Sequence, residues 1–347
     1  MRVTAAQAPG VFAVEERPLP EPEPGQARVR LLACGICGTD LHFHHAGLFA
    51  PGHVPGHEMF GEVDALGDGV AGVAGVAVGD RVAVEPIEAC GRCPACREGR
   101  GNICPENRLF GIHLPGGFAE AICVPAERLF PVADAVSPEI AALAEPTAVA
   151  VHGVRRGGVG RGDRVLVLGA GTIGLLSVLA ARDAGAGEVW LTARHPHQAE
   201  LGAALGAARV LGEDEGGPEA LDRLGREAPI DCVVETVGGN ADTLHAAVAA
   251  IRPGGTVSVV GVFLGDVAVP GFPLLLKEGV LAWSNCYQHA GRGSDFADAV
   301  DLLTRERDAL AALTRASVPL DQVARGFELA SDKKAGAVKV TVRPDGS

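Results

Sequence analysis

Four cysteines, Cys90, Cys93, Cys96 and Cys104, fall within fifteen residues at C-x2-C-x2-C-x7-C spacing. Gly91, Pro94, Gly99 and Gly101 interleave with them, so the segment reads as a tight loop rather than a helix or strand. Two-residue gaps let neighbouring sulfurs converge on one centre, and a zinc ion takes four thiolates tetrahedrally. A polar loop of this kind has little core of its own, so metal binding would supply its folding energy. Two local disulfides or a redox thiol pair are the alternative. Regular spacing and the lack of a recognisable secretory leader favour the metal. Four thiolates fill the coordination sphere, which makes this zinc structural.

At 347 residues, 47% of them hydrophobic, the chain is long enough for two domains with sizeable cores. A net charge of −13 argues against a nucleic-acid footprint or an anionic membrane surface. The longest apolar run, Val165 to Ala181, is broken by Gly169, Gly171 and Gly174 and flanked by charged pairs. A strand, turn and helix explain it better than a membrane span. Met1 to Gln7 contains no apolar signal core. An odd count of nine cysteines then implies a reducing, cytoplasmic setting.

Taken in order, residues 1 to 32 read as β-rich around a Pro-rich connector, and Ala121 to Val124 as a further strand. Ala148 to Val154 reads as helical. From Arg164 short β runs alternate with helical segments, the strand candidates being Val165 to Leu168, Glu188 to Leu191, Arg209 to Leu211, Cys232 to Glu235 and Thr256 to Val260. This alternation predicts a doubly wound parallel sheet. Helices are expected at Phe296 to Thr304 and Leu320 to Ser331, and a last strand at Ala337 to Val342.

Gly169-Ala-Gly171-Thr172-Ile173-Gly174 matches G-x-G-x-x-G, follows an expected strand and opens an expected helix. The glycines permit a tight turn, close approach of backbone to a pyrophosphate and close helix–strand packing. The helix N-terminus offers free N–H groups to the anion. At the tip of the next strand an acid would hold the adenosine ribose and select NAD. This chain has Thr192-Ala193-Arg194-His195-Pro196-His197 there instead. Arg194 can pair with a 2′-phosphate through its planar fork, so NADP(H) is expected over NAD(H).

Spacing cannot bring distant residues together, but several motifs occur in a telling order: Cys37-Gly-Thr39-Asp40-Leu-His42, Gly56-His57-Glu58, Gly79-Asp80-Arg81-Val82, the four-cysteine loop, Glu145-Pro146 and the glycine fingerprint. Over nearly its full length the chain resembles the zinc-containing medium-chain alcohol dehydrogenase superfamily, in the branch of polyol, sorbitol, threonine and butanediol dehydrogenases. The resemblance implies a GroES-like β-rich catalytic domain from residues 1–152 and 291–347, a Rossmann domain from 153–290, and an active site in the cleft between them. It implies two zinc ions per chain. The catalytic one would be held by Cys37 and His57 with a carboxylate from Glu145 or Glu58, leaving one position open. Thr39, the nicotinamide ribose and His42 would relay the alkoxide proton, and Asp40 would order the loop. Val237, Val260 and Gly261 would line the coenzyme groove, and Lys339 would contact pyrophosphate. The implied function is reversible, NADP(H)-dependent oxidation of a secondary alcohol, polyol- or sugar-like, to a ketone, in a homotetramer or dimer. Alternatives on the same residues are an aldehyde or other carbonyl reductase, and a noncatalytic NADP-binding or redox-sensing zinc protein.

Overall fold

Along Gln26–Gly35 buried and more exposed residues alternate, the mark of a strand with one face against a core. It is the spine of the first of two units, Met1–Glu145 with His289–Ser347; the second is Pro146–Gln288. The computed structural model describes residues 1–70, 75–289, 294–334 and 336–344. In chain order the first unit begins with β1 (Arg2–Ala8), β2 (Val11–Glu16), β3 (Gln26–Gly35), α1 (Gly38–His45), β4 (Glu58–Leu66), β5 (Arg81–Val84) and β6 (Ile87–Glu88). It continues with α2 (Pro94–Arg97), β7 (Arg108–Leu109), β8 (Ala121–Pro125), β9 (Leu129–Pro131) and α3 (Pro138–Ala141). The division between units falls near the start of α4 (Ala144–Arg156), about two turns before the expected boundary at 152. The other expected boundary, near Gly291, lies outside the described residues.

The second unit alternates as the sequence predicts: β10 (Arg164–Leu168), α5 (Thr172–Asp183), β11 (Glu188–Thr192), α6 (Pro196–Ala204), β12 (Arg209–Leu211), α7 (Pro218–Glu227), β13 (Ile230–Glu235), α8 (Thr243–Ala250), β14 (Ile251–Val259), α9 (Gly271–Leu276) and β15 (Val280–Trp283). The six strands run parallel in the order β12-β11-β10-β13-β14-β15. The direction of winding reverses between β10 and β13, where a doubly wound sheet opens its ligand crevice. Leu166, Val233, Val257, Leu221, Leu244 and Val248 form the apolar core against this sheet. Lys277 closes the C-terminal end of α8 by donating to the carbonyls of Val248, Ala249 and Ile251 at 2.7–2.9 Å, supplying partners that a helix terminus lacks.

The chain returns to the first unit through α10 (Asp295–Leu310), β16 (Ala316–Pro319), α11 (Val323–Ser331) and β17 (Val340–Arg343). The main sheet there is β16-β17-β3-β4-β5-β9, with β8 also paired to β3. Leu31, Met59, Phe118 and Phe327 belong to its core. Three sequence expectations need correction. β4 and β16 were not anticipated, because glycines and short length hid their pattern. The final strand begins at Val340, not Ala337. The four-cysteine segment is not all loop: Cys93 caps the single-turn α2, its sulfur accepting the Cys96 N–H, with Pro94 in the first turn.

Candidate functional site

Three side chains meet at the head of β3. Cys37 lies two residues beyond the strand and caps α1, its N–H donating to Asp40 Oδ2 at 2.9 Å. His57 and Glu58 enter β4, whose antiparallel register sets Gly35 opposite Glu58 and Cys34 opposite Met59. That register, not sequence spacing, carries His57 and Glu58 to Cys37. Ligand atoms of the three lie within 4.8 Å of one another. Glu145, the other candidate carboxylate, is buried in the first turn of α4 but is not in this group.

The opposite neighbour of β3 supplies a partner for Glu58. Lys339 directly precedes β17, which pairs antiparallel with β3. Its Nζ donates to both Glu58 oxygens at 2.6 Å and to the Ile36 carbonyl at 3.0 Å. Burial works against the ammonium charge, but Glu58 and Cys37 more than offset it and hold its pKa above the ordinary value. All three N–H donors are committed and the side chain is 3% exposed. Lys339, expected at the pyrophosphate, thus has its polar partners in Glu58 and the Ile36 carbonyl. A Cβ at position 35 would sit 1.8 Å from Glu58 Oε2, so a side chain there would displace the ion-paired carboxylate.

The site suits a cation. Burial would lower the His57 pKa, yet Asp40 and Cys37 reverse this and hold the ring well above its usual value. Burial pushes Glu145 up to about 7, with Glu58 and Asp40 adding to the rise and His57 and Lys339 opposing it. Asp40 Oδ1 stands 3.5 Å from His57 Nδ1, and neither atom has a hydrogen bond. A carboxylate beside one ring nitrogen orients a metal-binding histidine and leaves the other nitrogen for the ion. One thiolate, one imidazole and one carboxylate form a donor set that suits zinc with a fourth position free. On α1, half-buried Thr39 and exposed His42 occupy positions i and i+3 of one face. Cys34 takes no part as a donor: it is fully buried, its thiol pushed well above the usual pKa by burial.

The second group is Cys90, Cys93, Cys96 and Cys104, whose sulfurs also lie within 4.8 Å of one another. Cys93 and Cys96 are 3.4 Å apart and Cys90 and Cys96 3.9 Å. Sulfurs bound tetrahedrally to one zinc would be roughly 3.8 Å apart. Backbone N–H groups of Cys90 and Glu106 point at Cys104 Sγ, at 3.5 and 3.4 Å. Backbone donors from Arg92 and Cys93 draw Cys90 down to about 7, whereas burial and neighbouring thiols push Cys96 up to about 12. As four thiolates they would need a shared cation to coexist.

In the second unit, Gly169 turns the chain between β10 and α5 at φ 98°, a region that favours glycine. Its N–H donates to Thr192 Oγ1 at 2.9 Å, and Thr236 Oγ1 donates to the Leu168 carbonyl at 2.7 Å. The turn is thus tied to the ends of both neighbouring strands. A Cβ at Gly174 would meet Gly169 O at 1.8 Å, so the third glycine allows α5 to approach the turn. Gly171 caps α5 with no side-chain hydrogen bond and has open space where a Cβ would be. Thr172 and Ile173 follow as the first helical residues, an arrangement that fits an anion. Beyond β11, Ala193 is buried, Arg194 is exposed and His195 caps α6. Beyond β13, Glu235 Oε1 accepts from the N–H groups of Val237 and Gly238 at 2.8 and 2.9 Å. The N–H groups of Val260 and Gly261 donate to the Glu235 carbonyl. Glu235 therefore anchors the loops that follow β13 and β14. The resemblance implies a groove-lining position for Glu235 with Val237 and Gly238 but not this anchoring role; a carboxylate at a strand's C-terminal end was the available signal.

Residues 23–134 match the model for the alcohol dehydrogenase GroES-like domain, and residues 172–305 that for zinc-binding dehydrogenases. Sorbitol dehydrogenase of Bacillus subtilis is 30% identical over 96% of this chain and 94% of its own. Galactitol-1-phosphate dehydrogenase of Escherichia coli superposes with a TM-score of 0.90 at 27% identity, covering 99% of this chain and 100% of its own. A Sinorhizobium meliloti protein described as a zinc-binding dehydrogenase, solved bound to NADP, gives 0.85 at 31% identity over 99% of both chains. With both cysteine-containing donor groups and the glycine cradle in place, the chain belongs to the zinc-containing medium-chain alcohol dehydrogenase superfamily, in its polyol- and threonine-dehydrogenase-like branch.

Proposed function

We propose that this protein is a zinc-dependent dehydrogenase that interconverts a secondary alcohol of polyol or sugar type and its ketone with NADP(H). The observation that carries the reading is the Cys37–His57–Glu58 group, three donors of metal-binding type at one point, two of them buried and Cys37 half-buried. Sorbitol and galactitol-1-phosphate dehydrogenases among the similar proteins support the substrate class. Bound at the three donors, zinc supplies Lewis acidity toward the substrate oxygen, and the nicotinamide coenzyme supplies hydride chemistry. Asp40 holds the α1 entrance and faces His57, keeping two of the donors in place. Thr39 Oγ1 accepts the substrate hydroxyl proton as it releases its own, and exposed His42 is the end of the relay that passes a proton to solvent. Glu145, with its pKa raised to about 7, is a further buried carboxylate for holding substrate or water.

The NADP preference rests on Arg194, the absence of a carboxylate at the tip of β11, and the NADP-bound similar structure. Five cysteines in the two donor groups and four others, none of them in a disulfide, suit a reducing compartment such as the cytoplasm. The edge position of β15 supports self-association. Among the described residues this strand has no neighbour on its outer edge, and Val280 and Trp283 are exposed on it. Nearby Phe272, Leu275 and Leu276 are about 70% exposed. A second copy related by a two-fold axis would pair its β15 antiparallel to this one and cover both patches. Light scattering of the protein and of Val280→Pro tests it: a dimer or tetramer that the variant loses is expected, and a monomeric parent overturns it.

The function is tested with zinc-loaded protein on a panel of polyols, sugar alcohols, cyclitols and simple secondary alcohols, each with NADP and with NAD. Turnover of polyols that Cys37→Ser abolishes together with one zinc per chain is expected. Turnover that persists without that zinc overturns the reading. Thr39→Val should lower kcat with zinc content unchanged, and an unaltered kcat refutes the proton role.

A further inference from the structure

In the parallel sheet β12 lies beside β11, so residues that follow the two strands emerge side by side. Arg194 follows β11 and Glu213 follows β12, and Glu213 Oε1 stands 3.6 Å from Arg194 Nε with both side chains 73% exposed. Glu213 opens an acidic run, Glu213-Asp214-Glu215. The Glu215 carboxylate is committed within its own turn, accepting from Arg209 at 2.9 Å and from the Gly212 N–H at 3.2 Å. Those donors hold its pKa below the ordinary value. Glu213 is not used in this way and is directed toward the guanidinium.

We propose that Glu213 is a specificity-determining residue for the coenzyme, competing with the adenosine 2′-phosphate for Arg194. The inference rests on the reading of Arg194 as the 2′-phosphate partner. A phosphate monoester brings a charge of about −1.5 to −2. To reach the guanidinium it must displace one carboxylate and then remain near it. NAD carries no such phosphate and meets neither cost. Glu213 therefore narrows the gap between the two coenzymes, leaving the chain an NADP preference smaller than Arg194 alone would set. An exposed pair of this kind is worth up to about 1 kcal/mol, or roughly a fivefold change in affinity.

The test is fluorescence titration of NADPH and NADH on the full-length protein, independent of turnover. Glu213→Gln should tighten NADPH about three- to fivefold and leave NADH within about twofold at low salt. The gain should shrink as salt rises from about 20 mM to about 300 mM. Asp214→Asn removes the same charge one residue away and should change neither affinity by more than about twofold. Equal tightening by both variants overturns the specific pairing, as does an unchanged NADPH affinity in Glu213→Gln. Arg194→Gln separates the two readings. If it weakens NADPH while Glu213→Gln has no effect, the Arg194 reading stands and the Glu213 proposal falls. If it leaves NADPH binding unchanged, the reading of Arg194 itself falls.

Discussion

Glu58 and Lys339, 281 residues apart in the chain, are joined by an ion pair in which one Nζ reaches both carboxylate oxygens at 2.6 Å. The pair straddles Gly35, with β4 delivering the carboxylate from one side of β3 and β17 the ammonium from the other. Both side chains are almost fully buried. The carboxylate of a proposed metal donor is thus balanced by a cation at the entrance of the C-terminal strand.

Lys339→Met should destabilise the protein by about 3–5 kcal/mol, because it leaves a buried carboxylate unpaired. Chemical denaturation with and without added zinc measures it, and zinc should recover part of the loss. If Lys339 served the coenzyme pyrophosphate, the variant would instead weaken NADPH binding and leave stability unchanged.

The two donor groups should separate under mutation. Cys93→Ser should reduce bound metal from about two zinc ions per chain to about one and lower Tm, since the lobe around α2 depends on its ion. Cys37→Ser should remove the other ion and abolish turnover with a smaller effect on Tm. Elemental analysis of zinc per chain beside a thermal melt checks both. Loss of both ions from either variant would show that the sites are not independent.

Gly174→Ala places a methyl group 1.8 Å from the Gly169 carbonyl, a backbone atom that cannot move aside cheaply. The turn and α5 must separate, so coenzyme binding should fall at least about tenfold while both zinc ions stay bound. Titration of NADPH fluorescence and zinc analysis on one preparation read out the two properties.

Acid stability should depend in part on Asp231. Its Oδ2 accepts from the Arg164 N–H at 2.8 Å and its Oδ1 from Arg252 Nε at 2.6 Å, tying β13 to β10 and β14. Burial alone would raise its pKa, but these two donors hold it below the ordinary value. A depressed folded value gives stability that is full above the unfolded pKa of about 3.9 and is lost as pH falls through the folded one. Asp231→Asn should flatten the stability profile below about pH 5. A profile identical to that of the parent would remove Asp231 from the account.

The parts that sequence alone determined are those whose contacts lie close along the chain. Sulfurs two residues apart converge with little help from elsewhere, and a strand, a three-glycine turn and a helix announce their cradle in eleven residues, 164–174. The βα alternation was legible for the same reason: its apolar runs repeat with the periods of strand and helix. Even there the single turn of α2 was hidden, because Gly and Pro on either side outweighed it.

Tertiary structure alone decided which distant groups meet. That Glu58 comes within reach of Cys37 and His57 follows from the β3–β4 register. Lys339 turns to Glu58 because β17 pairs with β3, and Glu213 faces Arg194 because β12 lies beside β11. A one-residue slip in any of these ladders would turn the side chain to the opposite face. Register is selected by the whole buried face of a sheet at once, so no short stretch of sequence contains it.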